Sequence, residues 1–302
     1  MNVDRLVVVV NPAAGGGRAG GVWERLLRDA PELAAARLVA AADVESCVRE
    51  LDEQLAGDAE AVVAVGGDGT AHLVVNRLLE TGTAGRVAFG LAPAGTGSDL
   101  ARCLGLPRHP LDGWRRLRDA APRRIDALEV TTDAGARRFV VNVASAGVSG
   151  AVDERVNAIA HRGRFTFQRE TLAALWHYEP VPCRVHVDGE ELYDGGFFVV
   201  AIANGRSFGR GMRIAPRASL DDGLADVVLI EPLPFWRVPL RMPRLLAGRH
   251  LGLDGVLFTR ARTVRLEPRG AMPPFDVDGE TLASGPATIR VLPGALRVLS
   301  SG

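Results

Sequence analysis

Ala61-Val62-Val63-Ala64-Val65-Gly66-Gly67-Asp68-Gly69-Thr70 decides the fold. Five small or β-branched apolar residues run without a polar break into a turn built from three glycines, one carboxylate and one hydroxyl. A short continuous apolar run of this kind reads as a strand covered on both faces, the usual state of a strand in a parallel sheet. The stretch Ala71 to Leu79 that follows reads as a helix. The same alternation lies on either side. Leu6 to Val10 precedes a helical stretch at Val22 to Ala30, Arg37 to Val39 precedes Val44 to Leu55, and Val87 to Leu91 precedes Leu100 to Leu104. Strand and helix in strict alternation give a doubly wound α/β domain.

Three of these strands run directly into loops of glycine and small polar residues. The loops are Asn11-Pro12-Ala13-Ala14-Gly15-Gly16-Gly17-Arg18, Gly66-Gly67-Asp68-Gly69-Thr70 and Pro93-Ala94-Gly95-Thr96-Gly97-Ser98-Asp99. Parallel strands would bring all three to the carboxyl edge of the sheet, where open α/β folds bind ligands. Glycines there let backbone N–H groups approach phosphate oxygens, and the helices that follow turn their positive ends to the same anion. The chain contains no lysine, so neither a lysine-bearing P-loop nor a protein-kinase phosphate lysine is available. Arg18 can take the cationic part with a forked contact, Asp68 can hold magnesium or its water shell, and Thr70 and Thr96 add hydroxyl donors. The plainer reading is that glycines merely turn the chain and that Thr70, Ser98 and Asp99 cap helices. Gly15, Gly17 and Gly20 also fit GxGxxG with Asp43 downstream, the outline of a dinucleotide-binding dehydrogenase, but that reading leaves the other two loops without a purpose.

A length of 302 residues favours two domains. The texture changes after residue 122, so residues 1–122 are expected to form the nucleotide-binding α/β domain and residues 123–302 a mainly β domain. Strands are expected at Ile125 to Thr131, Phe139 to Val143, Cys183 to Val187, Phe197 to Ala203, Ala225 to Ile230, Val264 to Leu266 and Ala287 to Leu292. Helices are expected at Val148 to Ala160, Phe165 to Trp176 and Phe235 to Leu246. Basic and acidic residues balance at 36 each, which gives no reason to expect nucleic acid as a partner. Cys47, Cys103 and Cys183 are too far apart and too few for a disulfide framework or a zinc site. They suit a reducing cytosol. Leu6 to Val10 is too short to cross a bilayer, so neither a signal peptide nor a membrane span is expected.

Read in order, Asn11 to Gly15, Gly66 to Thr70 and Pro93 to Arg102 resemble the diacylglycerol kinase catalytic domain family, which includes bacterial lipid kinases and sphingosine kinases. The resemblance continues at Gly209 to Met212, Pro216 to Asp226 and Val277-Asp278-Gly279-Glu280. It implies an ATP- and magnesium-dependent transfer of the γ-phosphate to a hydroxyl of a lipid such as diacylglycerol or a sphingoid base. It also implies a C-terminal β-sandwich for the acceptor, with the last strand returning to the first domain. By the resemblance ATP meets Asn11, Pro12, Gly15, Arg18, Gly66, Gly67, Asp68, Gly69, Thr70, Ala71, His72, Gly95 and Thr96. Asp278, Glu280 and Asp68 are implied as catalytic, one of the first two being the general base. The family's structural magnesium falls on Asp222 with the carbonyls of Ser219 and Leu224.

The chain departs from the family pattern at Leu73, Ser98, Ala41 and Ala42, which keeps a catalytically weak nucleotide- or lipid-binding relative in play beside the NAD kinase-like and NAD(P)-linked readings. Asp188-Gly189-Glu190 repeats the Asp278-Gly279-Glu280 sequence in a place that reads as a plain hairpin turn. Phe235, Trp236, Val238, Leu240, Met242, Leu245 and Leu246 are interleaved with Arg237, Arg241, Arg244 and Arg249, a composition suited to a membrane headgroup boundary or to an ordinary packed helix with a basic face. The expected location is cytoplasmic, with a peripheral membrane contact to reach the lipid. Oligomeric state is left open, a homodimer included.

Overall fold

The structure, a computed structural model, describes residues 2–12, 14–40, 43–94, 98–107, 109–157, 173–174, 176–209 and 211–300. The chain divides into two compact units, one formed by Met1–Asp126 with Pro293–Gly302 and the other by Ala127–Leu292. The division falls a few residues beyond the expected position 122 because one strand, β5 (Pro122–Thr132), runs through it without a break.

In the first unit, β1 (Leu6–Val10), β2 (Arg37–Val39), β3 (Ala61–Gly66) and β4 (Ala88–Pro93) pair in the order β2-β1-β3-β4, every pair parallel. Every residue of β1, β3 and β4 is buried, the outcome of apolar runs with no alternation. The C-terminal part of β16 (Ala287–Leu299) lies parallel to β4, with Val298 opposite Phe89. The helices are α1 (Ala14–Asp29), α2 (Val44–Ala56), α3 (Asp68–Glu80), α4 (Asp99–Cys103) and α5 (Pro110–Asp119). Two findings depart from the sequence reading. The glycine stretch expected as a loop is already helical from Ala14, so Gly15, Gly17, Gly20 and Arg18 belong to α1. And α5 lies where the sequence pattern marks no helix, although Pro110 stands in its first turn and Trp114, 2 % exposed, packs inward from it.

In the second unit, β6 (Arg137–Val140) pairs with β5, and β16, β13 (Thr263–Pro268), β8 (Pro182–Val187) and β9 (Glu190–Gly196) follow one another as neighbours, β5 also pairing with β16. A second, antiparallel sheet has the order β12-β11-β10-β7-β14-β15, made of β7 (Val143–Gly147), β10 (Val199–Ala203), β11 (Ala225–Ile230), β12 (Val256–Ala261), β14 (Phe275–Val277) and β15 (Glu280–Leu282). Alternate residues of its central strands face opposite ways, as strand geometry requires. Ala144, Val200, Ile202, Val227 and Leu229 join Leu128, Val185, Leu266 and Ile289 in the sandwich core. Val143, Ala201, Val228 and Ile230 face the other way, where Val148 and Val152 of α6 (Val148–Asn157), Ile214, Ala215 and Leu245 of α7 (Val238–Leu246) cover them.

The strand expected at Phe139 to Val143 is two strands, β6 and β7, parted at Val141 and Asn142. The helix expected at Phe165 to Trp176 lies largely outside the described residues, as do Ala13, Ala41, Ala42 and Arg210.

Candidate functional site

The carboxyl ends of three parallel strands in the first unit lie in register, with Val10 opposite Val65 and Gly66 opposite Pro93. The turns after β1, β3 and β4 therefore leave one edge of one sheet. After β3 the chain turns at Gly67 and enters α3 at Asp68, so Asp68, Gly69 and Thr70 form its first turn, whose N–H groups have no partner inside the helix. Gly66 is required by contact: a Cβ there would lie 2.4 Å from Oγ1 of the buried Thr70. The turn after β4 is tied to the same place. Ala94 N–H donates to the Gly66 carbonyl at 2.8 Å. The Asp68 carboxylate accepts from the Ser98 hydroxyl at 3.3 Å and from Asp99 N–H and Leu100 N–H at 3.2 Å each. A carboxylate at the amino end of α4 satisfies orphan N–H groups, so Asp68 welds two of the three turns together.

Ser98 also accepts from Ala101 N–H at 3.4 Å, and Asp99 pairs with Arg102 one turn on. Ala71 is fully buried in α3, and His72 is buried with Nε2 3.3 Å from Asn76 Nδ2. Gly95 and Thr96 lie outside the described residues. Asp43, the acid of the dinucleotide reading, serves as the N-cap of α2 and accepts from Ser46 N–H at 2.8 Å. With Gly15, Gly17 and Gly20 all inside α1, the GxGxxG outline has neither its turn nor its acid.

The second unit carries the Asp278-Gly279-Glu280 sequence at the turn between β14 and β15. Val277 pairs with Glu280, so the loop is two residues long, and Asp278 and Gly279 have φ of 58° and 89°. Positive φ at both positions is the mark of the hairpin turn that matches strand twist, which Asp-Gly favours. The Asp278 carboxylate accepts from Val141 N–H at 2.9 Å and from Asn142 and Val143 N–H at 3.0 Å each. Those three groups sit at the break between β6 and β7. Asp188-Gly189 is built the same way, with φ of 50° and 91° and a carboxylate that accepts from Arg262 N–H at 3.0 Å and Thr263 N–H at 2.8 Å. Asp278 thus does at its turn what Asp188 does at a turn in the other sheet: it anchors a hairpin to a neighbouring strand. Glu280 differs. It is exposed and has no ion-pair partner among the described residues.

Buried polar side chains that no sequence motif singles out surround this turn. Asn142 Nδ2 donates to the Ser207 carbonyl at 2.7 Å, and Asn204 Nδ2 to the Val141 carbonyl at 2.9 Å. Asp276 accepts from Gly279 N–H at 2.8 Å and from the Ser145 hydroxyl at 3.1 Å. The signal was present: each is a lone polar residue beside or within an apolar β run. Nearby, α6 lies against the segment before β14, since a Cβ at Gly150 would fall 1.7 Å from the Pro274 carbonyl oxygen. A cleft of about 620 Å³ opens there, lined by Ala151, His177, Tyr178, Met272 and Pro273 among others.

The carboxylate expected to hold a structural cation is engaged by protein groups. Asp222 accepts from Leu224 N–H at 3.2 Å with one carboxylate oxygen and pairs through the other with Arg260. Arg260, opposite Asp226 across β11 and β12, also reaches the Asp226 carboxylate with Nε at 3.2 Å. Asp226 is buried, which pushes its carboxyl pKa up against the opposing pull of Arg260. Ser219 turns its hydroxyl to Asp221 at 2.8 Å. A guanidinium already supplies the positive charge that a magnesium ion would bring to Asp222. Asp68, with N–H and O–H donors on its oxygens, is likewise arranged as a hydrogen-bond acceptor.

The family described as the diacylglycerol kinase catalytic domain matches residues 5–130, and the YegS C-terminal NAD kinase beta sandwich-like domain matches residues 142–300. The proteins named diacylglycerol kinase in two strains of Mycobacterium tuberculosis, CDC 1551 / Oshkosh and ATCC 25618 / H37Rv, are each 30 % identical to the chain over 310 residues, covering 98 % of it and 95 % of the relative. A crystal structure of a diacylglycerol kinase from Bacillus anthracis str. Sterne superimposes with a TM-score of 0.72 at 18 % identity, over 100 % of this chain and 98 % of that one, a likeness of fold.

Proposed function

Since the chain belongs to the diacylglycerol kinase family, we propose that it transfers the γ-phosphate of ATP to a hydroxyl group of a lipid. The observation that carries this reading is the convergence of the Gly66 to Thr70 turn and the turn after β4 on the Asp68 carboxylate, at the edge where three parallel strands end. First-turn N–H groups of α3, backed by its dipole, suit phosphate oxygens. In this reading Asn11, Pro12, Gly15 and Arg18 contribute from the first turn and α1, Gly66, Gly67, Gly69, Thr70, Ala71 and His72 from the second turn and α3, and Gly95 and Thr96 from the third. Asp68 acts as a positioning residue. ATP arrives as its magnesium complex, the metal being part of the substrate and lowering the charge on its phosphates.

Glu280 is the general base of the proposal. Its carboxylate takes the proton of the acceptor hydroxyl as that oxygen bonds to the γ-phosphorus, and ADP leaves with the bridging oxygen. Asp278, whose oxygens accept three backbone N–H groups, holds the hairpin that presents Glu280. Isothermal titration of the whole chain with magnesium-ATP and with NADP tests the nucleotide reading: binding of ATP alone is expected, and preference for NADP would overturn it. The acceptor lipid comes from a membrane surface, and no helix among the described residues is long and apolar enough to cross one.

A further inference from the structure

Three of the six large apolar side chains that stand exposed among the described residues fall within eleven positions of one another: Trp236 and Leu240, each 64 % exposed, and Leu246, 51 % exposed. They belong to α7 and the single 3-10 turn of Phe235–Arg237 that leads into it. The element is anchored from its other side. Val238 is buried, Leu245 packs on the outer face of the second sheet, and His250 Nε2 lies 2.9 Å from the Ile214 carbonyl just beyond the helix. The exposed apolar groups are therefore fixed outward by a packed scaffold, and burial within the unit does not account for them.

Charge identifies what they face. Between Pro232 and Leu253 there are four arginines and no aspartate or glutamate, in a chain whose basic and acidic residues balance overall. Arg237, Arg244 and Arg249 are exposed, and Arg237 stacks its guanidinium 4.8 Å from the centre of the Trp236 ring. Arginine beside tryptophan, with Leu240 one turn on and Leu246 at the end of the helix, matches the boundary of a bilayer: rings and aliphatic tips enter the acyl edge while guanidinium groups meet lipid phosphates. A second copy of this chain would bring arginine against arginine, so like charge disfavours self-association through this face.

We propose that α7 and the turn before it dock the protein on an anionic lipid surface, with Trp236, Leu240 and Leu246 inserted and Arg237, Arg244 and Arg249 on the headgroups. This rests on the lipid-kinase reading only for its purpose, since the docking stands on exposure and charge. The test uses the whole chain without nucleotide, sedimented with vesicles of phosphatidylcholine alone and of phosphatidylcholine mixed with phosphatidylglycerol. Binding to the anionic vesicles is expected, weakened by salt, with a blue shift in tryptophan emission that Trp236→Phe removes. Arg237→Gln with Arg244→Gln is expected to weaken anionic binding roughly tenfold or more, and Leu240→Ser with Leu246→Ser to do so at any lipid charge. Equal binding to neutral and anionic vesicles, or full binding by the Leu240→Ser, Leu246→Ser variant, would overturn the proposal. Kinase assays of the same variants on acceptor dispersed in detergent separate the two ideas. Activity there with lost vesicle binding supports docking, whereas a wild type that binds vesicles but phosphorylates nothing counts against the kinase reading alone.

Discussion

Glu280→Gln keeps the size of the side chain and removes its basicity, so phosphoryl transfer is expected to fall by roughly a hundredfold or more with the melting midpoint unchanged. Asp278→Ala is expected to act on the fold instead. It strips the acceptor from three backbone N–H groups, at a cost of about 2 kcal/mol or more, read by chemical denaturation. A wild-type rate for Glu280→Gln would remove the proposed base. Arg260 makes a second residue-scale case. With its guanidinium on Asp222 and Asp226, the wild-type melting midpoint should not respond to EDTA, while Arg260→Met should melt lower and regain part of the loss on addition of magnesium. A drop in the wild-type midpoint with EDTA would contradict this. At this scale the sequence was legible in kind and not in role. Two Asp-Gly-Glu copies look alike on paper, and only the hydrogen bonds show that both aspartates are anchors. The arginine that meets Asp222 lies 38 residues downstream, beyond any local pattern.

Elements turn on close approaches that the sequence marks with glycine. Gly66→Ala would set a methyl group 2.4 Å from the Thr70 hydroxyl and 2.7 Å from its Cβ, and a loss of roughly 1 to 3 kcal/mol is expected, partly recovered by adding Thr70→Gly, which removes both atoms. Additive losses in the double variant would show that the contact is not the cause. The link between α7 and the Ile214 segment carries a pH dependence. Burial depresses the His250 pKa below its usual 6.5, its Nε2 facing a carbonyl. A depressed base contributes stability that is present above the unfolded pKa and lost as pH falls through the folded one. Melting midpoints of the wild type should therefore fall as pH drops below about 6.5, before carboxylates titrate, and His250→Gln should flatten that slope. An unchanged slope would exclude His250 as its source. The buried parallel strands were readable because apolar runs are long and unbroken. The helical start of α1 was not, because glycine has low helix propensity and tertiary context overrode it. The split of β6 from β7 was hidden because its cause, Asp278, lies 135 or more residues away.

Over the whole molecule, the chain leaves the first unit after Asp126 and returns to it at Pro293. One unit carries the turns proposed to hold the triphosphate, and the other carries the proposed base and the outward apolar helix. That α/β followed by β texture was plain from composition, whereas the strand that comes back was named only through resemblance, since a continuous β run gives no sign of which sheet it joins. The most direct measurement is transfer of label from γ-labelled ATP by the intact chain into a lipid extract, with Glu280→Gln run in parallel. Label in a phosphorylated lipid, lost in the variant, is the expected result; label released only as inorganic phosphate, or equal lipid labelling by both proteins, would contradict the account.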